Sequence, residues 1–236
     1  QIVYKESPDN RGIDVGFMFK KDKFTFLDMR ADTVFLSDRY PTRLILNGNL
    51  RTESNDTLHI FINHWPSRRG GAEASEKNRI KAAQTLKSSI EKCFSKSAKP
   101  NIIVMGDFND EPTNVSIKEV LNAQPISCEE LNNVSMNPKN NLYNLAYAAK
   151  MKGAGSYKYQ SEWDMIDQII ISQNLLTDKS FRWICNSFEI YKPEFIVTHS
   201  GKYEGAPFPT YGGTRYLGGY SDHFPVLAKF LLKTKK

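Results

Sequence analysis

The sequence predicts an α+β sandwich with its helices outside, on three observations. Short apolar runs bounded by turn residues dominate the chain and read as strands. One longer segment repeats its apolar residues every three or four positions and reads as a helix. No linker rich in proline, serine or charge interrupts the chain, so residues 1–236 read as one domain.

Taken in order, Ile13 to Phe19, Phe24 to Leu27, Arg43 to Leu46 and Leu58 to Ile62 are expected to be strands of an antiparallel meander. Lys21-Asp22-Lys23 and Asn47-Gly48-Asn49 would be connections within it. Ile80, Ala83, Leu86, Ile90 and Phe94 then place an amphipathic helix over about Ala72 to Ser95, stopped by Lys99-Pro100. Ile102 to Met105 is a short, fully apolar strand that runs into Gly106-Asp107-Phe108-Asn109. Helices are expected around Val115 to Leu121 and Leu142 to Lys150, and strands at Met165 to Ile171, Phe181 to Ile190 and Pro225 to Leu232. Between the last two strands, Thr198 to Gly219 reads as a long glycine-rich loop of the kind that carries function.

Composition excludes some classes. With 40% apolar and 25% charged residues the chain is neither disordered nor fibrous. Three scattered cysteines (Cys93, Cys128, Cys185) are too few for a disulfide framework, and no CxxC pair suggests zinc. No apolar stretch reaches the length of a membrane span. The net charge of +6 leans toward anionic partners: nucleic acid, phosphoesters or an acidic membrane surface.

Four segments, each at a strand end, carry chemistry. In Ile62-Asn63-His64-Trp65-Pro66-Ser67-Arg68-Arg69-Gly70-Gly71 a strand ends in a histidine and enters a basic turn, which could present an imidazole and two guanidiniums to one anion. A buried histidine beside a solvated turn is the alternative. In Gly106-Asp107-Phe108-Asn109, residues two apart face the same side, so Asp107 and Asn109 would together position a water; the alternative is a plain Asp/Asn turn. In Trp163-Asp164-Met165-Ile166-Asp167 the last aspartate sits inside an apolar strand and needs a partner, for which histidine is suited, whereas Asp164 reads as a surface residue. Gly219-Tyr220-Ser221-Asp222-His223-Phe224-Pro225 leads into the last strand and offers neighbouring Asp and His. His59 and the tryptophans Trp65 and Trp163 read as structural, Cys93 as a buried inert thiol, His199 as a loop residue able to touch substrate, and the basic tail 233–236 as a solvated end.

Together with Ser7-Pro8-Asp9-Asn10-Arg11-Gly12-Ile13-Asp14-Val15, these segments resemble the endonuclease/exonuclease/phosphatase superfamily, in family order and over nearly the whole chain. The resemblance implies a four-layer α/β/β/α sandwich with two mainly antiparallel sheets and the site where their loops meet. It implies that Asp107 orients or deprotonates the attacking water, Asn109 hydrogen-bonds the phosphate, and His223, held by Asp167, stabilises the transition state. His64 is the second histidine on the phosphate, with Asp14 as a candidate backing group, and Arg11, Arg68 and Arg69 bind substrate. Asp222 helps to bind a divalent metal, magnesium or alternatively manganese. Family members begin with a strand bearing an Asn and a second strand ending in a metal-binding Glu; neither is found, so the resemblance makes this chain N-terminally truncated. Exposed strand edges would then favour self-association or pairing with an N-terminal fragment. The implied activity is a nuclease-like phosphodiesterase. The alternatives are a phosphomonoesterase, a lipid phosphodiesterase of the sphingomyelinase or inositol-phosphatase kind, and a non-catalytic nucleic-acid or phosphoinositide-binding module. The likeness to bacterial, often exported members implies an extracytoplasmic location.

Overall fold

The computed structural model describes residues 1–36, 41–133 and 142–233; most of the basic tail expected at 233–236 lies outside them. The chain opens with β1 (Ile2–Lys5), which pairs antiparallel with β2 (Val15–Met18). Strands β3 (Phe24–Asp32), β4 (Ile45–Thr52) and β5 (Thr57–His64) follow as an antiparallel meander. Helix α1 (Ala72–Phe94) returns the chain so that β6 (Asn101–Asp107) pairs parallel with β5. A π-helical turn (Ser116–Val120), β7 (Ala123–Gln124), β8 (Leu142–Asn144) and α2 (Tyr147–Met151) come next. The ribbon β9 (Tyr157–Tyr159) and β10 (Glu162–Asp164) leads into β11 (Asp167–Ser172) and the short α3 (Asn174–Thr177). The remaining strands are β12 (Phe181–Trp183), β13 (Glu189–Ile190), β14 (Tyr211–Gly212), β15 (Arg215–Tyr216), β16 (Val226–Leu227) and β17 (Phe230–Leu232).

Seven strands form the central sheet in the order β3-β4-β5-β6-β11-β8-β7. Strand alternation sends side chains to two cores. On one face Ile45, Phe61, Ile102, Val104 and Ile170 pack beneath Ala82, Ala83, Leu86 and Ile90 of α1. On the other, Leu46, Ile60, Ile103, Ile169 and Ile171 meet Val3, Val15, Phe17, Phe181 and Trp183 from a second β layer. That layer consists of paired ribbons, β1–β2, β12–β17 and β13–β16. The chain is therefore the expected α+β sandwich, with unequal sheets.

Several boundaries differ from expectation. Asn47-Gly48-Asn49 is no connection but the middle of β4; the turn follows at 53–56, where Asn55 takes φ 71°. Gly48 is in the strand because the Phe17 ring lies on it: a Cβ there would sit 2.3 Å from Phe17 Cζ. The strand Val15–Met18 pairs with β1 rather than joining the meander. Leu142 to Lys150 starts as a strand, because Leu142 and Tyr143 supply the two cores, and becomes helical only at Tyr147. The last two long strands are each broken into two, and the glycine-rich loop contains the β14–β15 hairpin.

Cysteine usage also needs correction. No framework exists, but Cys128 and Cys185 form a disulfide across 57 residues of sequence, with Cα atoms 5.8 Å apart. Cys93 is a buried free thiol on the inner face of α1. No helix among the described residues is long and apolar enough to cross a membrane.

Candidate active site

The site grows out of the core between the β layers. Along β5, β6 and β11, the inward rows run Ile60-Ile62-His64, Ile103-Met105-Asp107 and Ile171-Ile169-Asp167. The register pairs His64 with Asp107 and Asp107 with Asp167. Three ionisable residues thus form the last rung of an apolar ladder, at the end of the sheet. Gly106 permits this close approach, with φ 134° and no space for a Cβ, which would lie 1.9 Å from Asn63 O.

Each member is held. The Asp107 carboxylate accepts the Asn109 backbone N–H at 2.7 Å and its side-chain amide at 3.0 Å. That amide also donates to Trp65 O, and Asn109 takes φ 49° to complete the turn. Phe108 points the other way and packs edge-on against buried Trp65, 4.8 Å between rings. Beyond it, Asp110 forms an ion pair with Arg79 of α1 at 2.6 Å, both side chains at most 2% exposed. The contact is ionic rather than a well-aligned hydrogen bond from Nε; Arg79 also donates to Ser75 Oγ and Ala72 O, and Ser116 donates to Asp110. Buried Arg43 secures the end of β5 through His64 O and Trp65 O, with its charge met by Asp9 at 3.1 Å.

His223 arrives from a loop. It faces Tyr157 of β9 in an isolated bridge, with the rings 4.7 Å apart, and Nδ1 meets Asp167 Oδ2 at 2.7 Å. Ser156 fixes the same Asp167 oxygen by donating at 2.7 Å. The two histidines diverge in charge. Burial, then the Arg43, Arg11 and His223 charges, push His64 down to about 4. Burial would also lower His223, but its Asp167 hydrogen bond and the Asp167, Asp107 and Asp222 charges lift it to about 9. Burial and the Asp167 charge raise Asp107 to about 6.

One cavity of about 900 Å³ is lined by all nine residues expected from sequence to form a site: Arg11, His64, Arg68, Arg69, Asp107, Asn109, Asp167, Asp222 and His223. Two lesser expectations fail, and a third finds no support. Asp14 does not back His64 but accepts the Ser7 N–H at 2.6 Å, holding the entry to β2. Asp164 is no surface residue; it lines the cavity and pairs with Arg68 at 3.1 Å, while Arg68 Nε donates to Asn109 O. His199 is not in the cavity wall and lies 3.7 Å from exposed Glu194. Trp65 is core, and Trp163 stacks on Phe224, 6.0 Å between rings. Sequence reasoning missed Asp9, Arg43, Ser156, Tyr157 and the Arg79–Asp110 pair. Except for Ser156, which reaches Asp167 across 11 residues, their contacts join residues remote in sequence, and only the arginine heading an apolar run at Arg43 offered a signal.

The donor set fits a hard divalent cation. Asp107, Asp167 and His223 offer ligand atoms within 4.8 Å of one another. Two carboxylates facing each other, one raised by burial and by the other's charge, make a deficit that a cation relieves, and oxygen donors suit a hard divalent ion. Asp167 and His223 also bind each other, and Asp222, the metal ligand expected from sequence, lines the same cavity but is not one of that close group.

Similar solved structures share the fold. The human Nocturnin catalytic domain with bound sulfate superposes with TM-score 0.59 at 18% identity, covering 99% of this chain and 72% of that one. A mannosyl-6-phosphatase from Bacteroides thetaiotaomicron gives 0.58 at 15%, covering 98% and 77%. D. rerio TDP2 complexed with single-strand DNA product gives 0.58 at 14%, covering 98% and 77%. No curated protein matches in sequence. The sequence model of the endonuclease/exonuclease/phosphatase family, however, matches residues 1–232. A strand-end carboxylate row under a bound imidazole is thus set in a chain matched almost from end to end, and this protein belongs to the endonuclease/exonuclease/phosphatase family, whose members hydrolyse phosphoesters.

Proposed function

We propose that the protein is a metal-dependent phosphodiesterase of nuclease type. The observation that carries this reading is the His64-Asp107-Asp167 rung with His223 hydrogen-bonded to Asp167. Asp107 takes the proton of the attacking water, which it can do because burial and Asp167 raise it to about 6, near a working pH. Asn109 sets the Asp107 carboxylate with its backbone N–H and its side-chain amide, and the expected amide hydrogen bond to the phosphate would replace the one it now makes to Trp65 O. Cationic His223 faces the non-bridging oxygens with Nε2, while Asp167 and Ser156 fix its tautomer and ring plane. His64, neutral, hydrogen-bonds the same phosphate. Arg11 and Arg69, which line the same cavity, supply further positive charge. A divalent ion held by Asp222 would supply charge over the phosphate oxygens. Magnesium is the expected ion, and manganese the alternative.

Two supports favour a diester over a monoester: a cavity of about 900 Å³, much larger than one phosphate, and several cationic groups spread along it. A non-catalytic binding module has no use for two half-buried carboxylates facing each other, whose repulsion costs stability. The Cys128–Cys185 disulfide supports an oxidising, extracytoplasmic location. The test is hydrolysis of bis(p-nitrophenyl) phosphate and p-nitrophenyl phosphate, with magnesium and after chelation. Diester turnover that chelation abolishes and magnesium restores supports the reading; monoester turnover alone, or turnover indifferent to chelation, overturns it.

A further inference from the structure

Beside His223, strand β9 carries two tyrosines two residues apart, so both rings stand on one face, and both line the cavity. Tyr157 is used: its ring packs on His223. Tyr159, one pleat further out, is 59% exposed, and among the described residues no other ring stacks on it. A large aromatic face open to water inside a catalytic cavity lacks the neighbour that would bury it. Tyr220, 65% exposed, precedes the cavity-lining Ser221 in the chain, with Phe195 edge-on to it at 5.5 Å. Arg11, Arg68 and Arg69 line the same cavity, and Arg68 reaches Asp164, the cross-strand neighbour of Tyr157. Arg68 is committed to Asp164 and Asn109, whereas Arg69 is exposed and forms no ion pair among the described residues. The cavity therefore combines an exposed aromatic ring with cationic side chains around the phosphate chemistry.

We propose that Tyr159 stacks the base next to the scissile phosphate, and that the substrate is single-stranded nucleic acid. The inference rests on the phosphodiesterase reading and narrows its substrate. Every base has a π-face, and base–aromatic stacking along a cationic groove is how unpaired strands are held without sequence preference. A base inside a duplex is covered on both faces, so a ring on a side wall can take only an unstacked one. Tyrosine rings suit this better than aliphatic side chains would, and the neighbouring arginines take the flanking phosphates as planar forks. A lipid substrate would call for aliphatic rather than phenolic groups at the rim; it is the outcome the test must separate.

The experiment uses a short fluorescein-labelled oligothymidine, the same strand with an abasic spacer at the cleaved step, and anionic phospholipid vesicles, with wild-type protein, Tyr159→Ala and Tyr159→Phe. Stacking predicts that Tyr159→Ala raises the KM for the oligothymidine roughly 5- to 100-fold with kcat changed little. Tyr159→Phe should restore wild-type KM, and the abasic strand should give the same KM with wild type and Tyr159→Ala. Fluorescence anisotropy of the labelled strands reads binding apart from hydrolysis. If no diester is cleaved but Tyr159→Ala still weakens binding of the base-bearing strand alone, the phosphodiesterase reading fails and the stacking site stands. Unchanged KM and anisotropy in Tyr159→Ala, an equal loss on the abasic strand, or a Tyr159→Ala defect confined to vesicle binding overturns the proposal.

Discussion

The site has two halves built in different ways. His64, Asp107 and Asp167 sit on three adjacent strands whose ladder hydrogen bonds set their spacing, and α1 clamps the turn behind them through Arg79 and Asp110. Asp222 and His223 instead sit on a loop, joined to β9 by one bridge, by the Phe224 N–H to Ser156 O bond at 2.7 Å and by the Asp167 contact. The sheet fixes one half before any side chain acts; the other half is placed by the side chains themselves. Removing a group from the first half should therefore delete chemistry without moving its neighbours, and removing a support from the second should misplace what remains.

Asp107→Asn gives the largest expected effect and tests the sheet-borne half. Turnover of a diester should fall about 10²- to 10⁴-fold, the usual size of a general-base contribution, with an unchanged circular dichroism spectrum. A mutant with wild-type kcat would take Asp107 out of the reaction. The clamp itself is broken by Arg79→Met, which leaves Asp110 buried and unpaired. Unfolding free energy from urea titration should drop by about 3–5 kcal/mol. Arg79→Met combined with Asp110→Asn should recover much of it, because the uncompensated charge is gone. No difference between the single and the double variant would show that the pair clamps nothing.

Asp167→Asn probes the junction of the halves. An amide there can still reach His223 but no longer holds a cationic ring, so activity should fall roughly 10- to 100-fold with the fold retained. The NMR-detected His223 titration should move down, since its hydrogen bond to Asp167 is what lifts it above its ordinary range. An unmoved titration would detach His223 from Asp167.

The smallest effect lies away from the site and sharpens the contrast. His59 bonds Asn49 Oδ1 at 2.6 Å, and burial lowers its pKa below 6.5. The unfolded chain thus binds a proton at higher pH than the folded one does. Stability should be full above about pH 6.5 and decline as the pH falls from there toward the depressed folded value. Urea titrations at pH 8 and pH 5 should show a larger difference for wild type than for His59→Gln. Equal differences would mean that His59 is solvated.

Much of this was legible in sequence. The long helix announced itself by period, and the Asp107 and Asp167 segments by a carboxylate at the end of an apolar run. These are local signals. Asn47-Gly48-Asn49 misled because a turn composition was placed mid-strand to make room for Phe17, a residue of the other layer. Asp164 misled because its partner, Arg68, lies 96 positions earlier in the chain. Asp9 and the Cys128–Cys185 bond were invisible for the same reason, and Arg43 showed only as the head of an apolar run: what defines each is a contact made only after the layers close.

The shared rung has a consequence for how the gene tolerates change in length. His64, Asp107 and Asp167 face the pocket only because each lies an even number of residues from the apolar positions behind it. Deleting or inserting one codon within β5, β6 or β11 would turn that strand's polar end toward α1 and bring the residues next to it, such as Trp65 or Phe108, into the water of the cavity. Two codons would restore the facing and shift the reach by about 7 Å. These three strands should therefore accept many substitutions but almost no indels, whereas the turn at 53–56, at the opposite end of the meander, is where added sequence should pass unnoticed.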